Sequence, residues 1–210
     1  MCRIGVMWRC LSLVLLLAAP AAHAQDVGLV NLVAGEVSYA ARGAAPEKVR
    51  PFMKVRDGDR FRLAAGAQLR VVYFDGARQE RWTGPASFQA ARRQSAPLSG
   101  APAEVLALPA GVPQRIARVP ELLQNARLGG VQLRGGGRPG KADEAAVREA
   151  RATYDSLRKR LPEDDITPEL YLYAVLSEQG LQGEMRSVAE EMQRRQPDNE
   201  EVKWLAKRVR

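Results

Sequence analysis

Residues 68–76 read Gln-Leu-Arg-Val-Val-Tyr-Phe-Asp-Gly (QLRVVYFDG). Their β-branched and aromatic side chains suit a pleated, half-buried surface and predict a strand over 68–74. Asp75-Gly76 then offers the pair that tolerates positive φ in a tight hairpin. Alternation along the strand sets Arg70 on the face opposite Leu69 and Val71. Working outward, 77–82 reads as the returning strand, Gly84-Pro85 as a turn and 86–90 as the next strand. Upstream, 29–33 and 36–40 read as strands joined through Ala34-Gly35. Residues 49–55 alternate apolar and polar around Pro51. Asp57-Gly58-Asp59 marks a turn before 60–63, where Phe61 and Leu63 share a face. Short strands at this spacing predict a small sandwich or roll.

Beyond residue 90 the pattern loosens. Pro97, Pro102, Pro109, Pro113 and Pro120 interrupt any long element. Residues 96–140 read as a Pro/Gly-rich connector with helical turns at 121–127, a last strand at 131–134 and a flexible linker, GGGRPG, at 135–140. From residue 141 the reading is helical. Ala146, Ala150, Tyr154, Leu157 and Leu161 form a stripe on a helix over 143–160, which Pro162 ends. Thr167-Pro168 opens a second helix with an N-cap and a first-position proline, and Gly180 closes it. A third helix covers 184–195, stopped by Pro197, and a fourth carries Val202, Leu205 and Val209. The fold class is therefore α+β: a small all-β unit, then helical hairpins.

Composition sharpens the division. The chain has 210 residues, 46% hydrophobic and 27% charged, as in a globular protein. Residues 25–140 hold 17 basic and 9 acidic side chains; residues 141–210 hold 13 and 15. The basic surplus thus belongs to the β half. Both cysteines, Cys2 and Cys10, and the one histidine, His23, lie in the first 24 residues. That stretch has Arg3 and Arg9, an apolar run over 11–19, Pro20 and Ala22-His23-Ala24. It reads as a secretory signal peptide cleaved after Ala24, with a run too short to span a bilayer. The mature chain, 25–210, then carries neither thiol nor imidazole. This excludes Cys-His and Ser-His-Asp catalysis and structural zinc. No cofactor and no metal are expected, and the setting is the bacterial periplasm.

Two resemblances follow from particular residues. Gly35-Glu36-Val37, Val55-Arg56-Asp57-Gly58-Asp59, Leu69-Arg70-Val71, Phe74-Asp75-Gly76 and Gly84-Pro85-Ala86-Ser87-Phe88 make residues 28–90 resemble a FecR-like domain. The resemblance implies a compact β fold of the bacterial envelope, known from the periplasmic signalling halves of iron-uptake regulators. Those regulators place a cytoplasmic domain and a membrane helix before the β domain, whereas here the β unit follows the leader directly. Residues 143–208 are similar to tetratricopeptide repeats. A shift of 35 residues aligns Ala150 with Met185, Tyr154 with Ala189, Leu157 with Met192, Pro162 with Pro197 and Leu170 with Leu205. Met185 stands where a small residue is usual, and Tyr173 where glycine or alanine is. Fewer than three repeats are present, so the array needs another surface to pack on. The division is thus a leader over 1–24, a FecR-like unit over 25–95, the connector over 96–140 and the repeat-like unit over 141–210.

The readings converge on a non-enzymatic periplasmic binding or scaffold protein that acts through a protein or peptide partner of the envelope, in envelope signalling. Tyr171, Tyr173 and Trp204 are the candidate partner-binding aromatics; filling the seam between repeats is their other reading. Arg60, Arg62, Arg70, Arg78 and Arg81 are candidates for an anionic glycan or lipid, against a simply solvated face. Nucleic acid is not expected as a partner, nor does the mature chain span the membrane. A carboxylate-only hydrolase would need a pair such as Asp57 and Asp59, but turn chemistry around Gly58 accounts for both. Two carboxylates followed by Arg60 are too few for calcium. Gly58, Asp59, Asp75 and Gly76 are read as structural turn residues. Expression in a Gram-negative host followed by N-terminal sequencing should yield a mature chain starting at Gln25; a product that keeps Met1 or Cys10 would overturn the leader assignment.

Overall fold

A computed structural model of the chain describes residues 25–128 and 143–208. The expected leader, the strand at 131–134 and the linker at 135–140 lie outside the described residues. Ten strands come first: β1 (Asp26–Ala34), β2 (Val37–Ala40), β3 (Glu47–Lys48), β4 (Lys54–Arg56), β5 (Arg60–Leu63), β6 (Gln68–Tyr73), β7 (Arg78–Thr83), β8 (Ala86–Ala90), β9 (Ser95–Ser99) and β10 (Glu104–Ala107). Helices α1 (Val112–Ile116), α2 (Val119–Arg127), α3 (Glu144–Arg160), α4 (Thr167–Glu178), α5 (Gln182–Arg195) and α6 (Glu200–Arg208) follow. The all-β half followed by helices is the α+β class that the sequence implies.

The strands form two antiparallel five-stranded sheets, in the orders β10-β7-β6-β1-β4 and β3-β2-β5-β8-β9. Their inner faces share one core. Leu69, Val71, Tyr73 and Trp82 from the first sheet meet Phe61, Leu63 and Phe88 from the second. Trp82, Phe88, Phe61 and Tyr39 stack in a row, with centroids 4.4, 4.9 and 6.0 Å apart. Offset stacking of this kind adds to the burial of the rings themselves.

Several local expectations change. β1 and β2 are both strands but do not pair with each other. The chain passes from one sheet to the other at Gly35, whose φ is 76° and where a Cβ would lie 3.0 Å from the Ala67 Cα, so the position suits glycine. The β6–β7 connection spans Phe74–Ala77, and Ala77, not Gly76, takes the positive φ, at 45°. Gly76 answers a different need: a Cβ there would lie 2.0 Å from the Arg93 carbonyl oxygen. Of residues 49–55, only 54 and 55 lie in a strand; Phe52 takes a φ of 60° in the turn before β4.

The stretch from 96 to 128 is built into the fold. β9 and β10 edge the two sheets, and Pro97 is tolerated because β9 is an edge strand. Pro113 and Pro120 sit in the first turns of α1 and α2. The predicted turns at 121–127 are the body of α2.

The helices close against the outer face of the first sheet. Leu29, Val72, Phe52 and Leu108 join Ile116, Leu157, Leu170 and Met192 in one apolar cluster. The layers run second sheet, first sheet, helices. α4 is the central helix: every residue but Tyr171 and Glu178 is buried. A helix apolar on all sides must be surrounded, and α1, α3 and α5 flank it. Asp143 caps α3 by accepting the Ala145 and Ala146 N–H groups at 3.0 and 3.1 Å. Thr167 is not the cap of α4; Ile166 holds that position, and the Asp165 carboxylate accepts the Thr167 N–H at 2.9 Å. Three of the pairs related by the 35-residue shift are buried alike, Ala150 and Met185, Leu157 and Met192, Leu170 and Leu205, whereas Tyr154 is half-buried where Ala189 is buried. Leu170→Ala should destabilise the protein by about 2–5 kcal/mol in urea unfolding, as a buried leucine deletion does. Leu98→Ala, at a side chain 56% exposed, should change it by less than about 0.5 kcal/mol.

Candidate functional site

The two halves meet through polar side chains as well as apolar ones. Asn31 on β1, Arg70 on β6 and Gln79 on β7 all rise from the outer face of the first sheet and are buried. Asp165 and Thr167, at the start of α4, are buried opposite them. The Asn31 amide donates to the Thr167 hydroxyl at 2.6 Å and to Gln79 Oε1 at 3.2 Å. The Thr167 hydroxyl donates to Gln79 Oε1, and Gln79 Nε2 donates to Asp165. Arg70 donates to both carboxylate oxygens of Asp164, at 3.2 and 3.0 Å, and its other terminal nitrogen lies 3.7 Å from Asp165. Asp165 thus has one nearby cation and three uncharged donors, Gln79 Nε2, the Thr167 N–H and the Asn31 amide at 3.4 Å, and its burial is compensated.

A second charged cluster lies behind the first. Glu169 on α4 is fully buried, paired with Arg158 at 2.9 Å and Arg195 at 3.0 Å. The Tyr154 hydroxyl donates to it at 3.1 Å. Burial, and then the Glu169 charge, pushes the Tyr154 phenol up to about 12. The carboxylates of both clusters are paired, and the clusters serve to orient the helices; Asn31 Oδ1, Arg70 Nη1 and Arg195 Nε accept or donate no hydrogen bond.

Beside the junction a cleft of about 620 Å³ opens to solvent. One wall is the end of β1, from Leu32 to Gly35, with Lys48–Pro51. The other is Asp164 with the α5–α6 loop, from Arg195 to Glu201. Lys48 and Arg50 bring positive charge from the β half, whereas Asp198 brings negative charge from the helical half; Glu200 and Glu201 on that wall pair with Lys203 and Arg127. Gln196 ties the walls together: its Nε2 donates to the Asn31 carbonyl at 3.3 Å and the Asp164 carbonyl at 2.9 Å. Asn199 donates to Gln196 Oε1 at 2.8 Å and caps α6, accepting the Glu201 and Val202 N–H groups. The cleft is therefore a fixed shape, not a gap between loose parts. Its size is that of a small-ligand or peptide site.

The residues singled out from the sequence are dispersed. Tyr173 is buried in α4, where burial pushes its phenol up to about 12. Tyr171 and Trp204 are half-buried against the helical core, and the Arg127 guanidinium lies 5.0 Å from the Trp204 ring. None of the three aromatics lines the cleft. Arg70 is 1% exposed and is spent on Asp164 and Asp165, so it offers nothing to a solvent-borne anion. Arg81 faces Glu104 at 3.5 Å, and Arg78 bonds Gln94 on the second-sheet side. Arg60 and Arg62 alone of the five are exposed. Gly58, with φ of 91°, and Asp59, accepting the Arg56 N–H at 2.9 Å, form the turn before β5. Burial raises the Asp59 carboxyl above its usual range. Asp57 and Asp59 lie apart from the cleft. Among the described residues no cluster of metal-ligating side chains is present, and no helix is long and apolar enough to cross a membrane.

Asn31, Gln79, Asp165, Thr167, Gln196 and Asn199 were not legible as a set. The one signal is that Asn31 interrupts a strand that is otherwise apolar, VGLV before it and LV after it. Arg70→Met should cost about 3–5 kcal/mol in urea unfolding, because it leaves Asp165 charged and buried without a cation. Asp164→Ala should cost about 1–3 kcal/mol, because it removes both carboxylate hydrogen bonds of the buried Arg70 and leaves it only Asp165 at 3.7 Å. No family model, curated protein or solved structure matches the chain.

Proposed function

We propose that the chain is a non-enzymatic binding protein of the bacterial envelope. It works in the periplasm once the leader over 1–24 is removed, and it holds an extended peptide segment of a partner protein in the junction cleft. The observation that carries this reading is the cleft itself. Its walls come from the two halves, carry opposite charge and are pinned by Gln196. A peptide main chain offers donors and acceptors on both sides, and flanking charged side chains would find Lys48 and Arg50 on one wall and Asp198 on the other.

At the family level the proposal keeps a FecR-like β unit followed by degenerate tetratricopeptide-like repeats. The shared burial of three pairs of positions 35 residues apart supports the second part. With α4 enclosed on all sides, the usual concave face of a repeat array is filled, so the partner site lies at the junction.

Photo-crosslinkers placed at Arg50 and at Asp198 in periplasm-exported protein should trap the same partner protein. A crosslinker at Arg148, exposed on α3, should trap nothing. Equal yield from Arg148, or none from the two cleft positions, would exclude the reading. Lys48→Glu with Asp198→Lys should abolish trapping while leaving the melting temperature within about 2 °C, as surface changes generally do.

A further inference from the structure

The outer face of the second sheet carries a group of cations that nothing in the fold neutralises. Two neighbouring rungs define it. Lys48, Ser38, Arg62 and Ser87 pair across β3, β2, β5 and β8, and Ser99 extends the rung onto β9. The next outward rung runs Ala40, Arg60, Gln89, Ala96. The rung between them, with Tyr39, Phe61 and Phe88, points into the core. Neither outward rung holds a carboxylate. The Arg42 guanidinium also comes in beside Gln89: Nη2 and Nε lie 3.8 and 4.0 Å, and Gln89 Nε2 4.0 Å, from the position of a Cβ on Gly58.

Other cations, such as Arg50, Arg93, Arg148 and Lys159, also lack an ion pair among the described residues, but on this face two neighbouring outward rungs hold such cations together without a carboxylate. Arg56, Arg81, Arg115, Arg127 and Arg158 each stand against a carboxylate. Among the described residues, the side chains of Arg42, Lys48, Arg60 and Arg62 make no ion pair and no hydrogen bond. Arg60 and Arg62 are two residues apart on one face, roughly 7 Å along the strand, and Lys48 lies two strands from Arg62, roughly 10 Å away. Like charges at such spacing repel, and the sheet gains no fold stability from them.

We propose that this face binds an acidic polysaccharide. The face is flat, so it cannot enclose a small ion and suits an extended polymer that meets several cations at once. The arginine forks match carboxylate or sulfate groups. Ser38, Ser87 and Gln89 supply uncharged donors and acceptors between the cations, as a sugar chain with free hydroxyls requires. Neither rung carries the large apolar side chains that anchor a surface in a bilayer. The face shares Lys48 with the junction cleft, whereas Arg60 and Arg62 do not line it, so varying those two separates this site from the cleft.

The test uses the purified protein with polygalacturonate and dextran sulfate as probes, neutral dextran as control, and vesicles of phosphatidylglycerol and a DNA duplex as competing polyanions. At least one acidic polysaccharide should bind, and affinity should fall as salt rises from 50 to 300 mM, on the order of what release of three or four counterions gives. Arg60→Gln with Arg62→Gln should lower that affinity at least tenfold with the melting temperature unchanged, while Arg148→Gln on α3 leaves it as it was. Binding to neither polysaccharide, an unaffected double variant, or tighter binding to the vesicles or the duplex would overturn the proposal.

Discussion

Arg70 is a charged side chain taken almost wholly out of water, and the position of the helices follows from it. It stands at the centre of β6, on a face where an uncompensated cation would cost several kcal/mol. Asp164 and Asp165, in the loop before α4, supply the compensation. That requirement brings the start of α4 over β1, β6 and β7, the centre of the sheet. Gln79, Asn31 and Thr167 then complete the arrangement by hydrogen bonding. Apolar contact between Leu29, Val72 and the helices supplies attraction without direction. The polar group supplies the direction, and the cleft beside it inherits its shape.

The sandwich therefore has two outer faces with different fates. The first sheet turns its outer face to the helices, and its arginine there is neutralised. The second sheet turns its outer face to solvent, and Arg60 and Arg62 keep their charge. Residues of one type, in strands read alike from the sequence, thus divide into a structural set and a surface set. The basic surplus of the first half is expressed mainly where Arg42, Lys48, Arg60 and Arg62 gather, since many of the other arginines have acidic partners.

Much of the local structure was legible. The strand at 68–73, the strands around it and all four C-terminal helices follow from alternation, periodicity and proline position. What failed locally failed for tertiary reasons. Asp75-Gly76 looked like a hairpin pair, but Gly76 is needed for the approach of the Arg93 carbonyl, which is 17 residues away in sequence. Thr167 looked like an N-cap, but its hydroxyl is drawn into the sheet contact and Asp165 takes over the local bond. Proline density at 97–120 looked like a connector, yet edge strands and helix first turns accept proline readily. The candidate site was legible only in part, because Gln196 and Asn199 acquire their role from where α5 ends against β1.

The sequence alone determined the order of the classes, strands before helices, because 2-residue and 3.6-residue periodicities are local properties of the chain. It also determined which residues turn away from the sandwich core: alternation sets Arg60, Arg62 and Arg70 all opposite their apolar neighbours. Whether turning away from that core means turning to water was decided by the tertiary structure alone. The helices cover one sheet and not the other, so Arg70 became a buried ion-pair partner and Arg60 and Arg62 remained free. Exposure depends on what packs on a face, and that partner lies about a hundred residues further along the chain, beyond the reach of any local pattern.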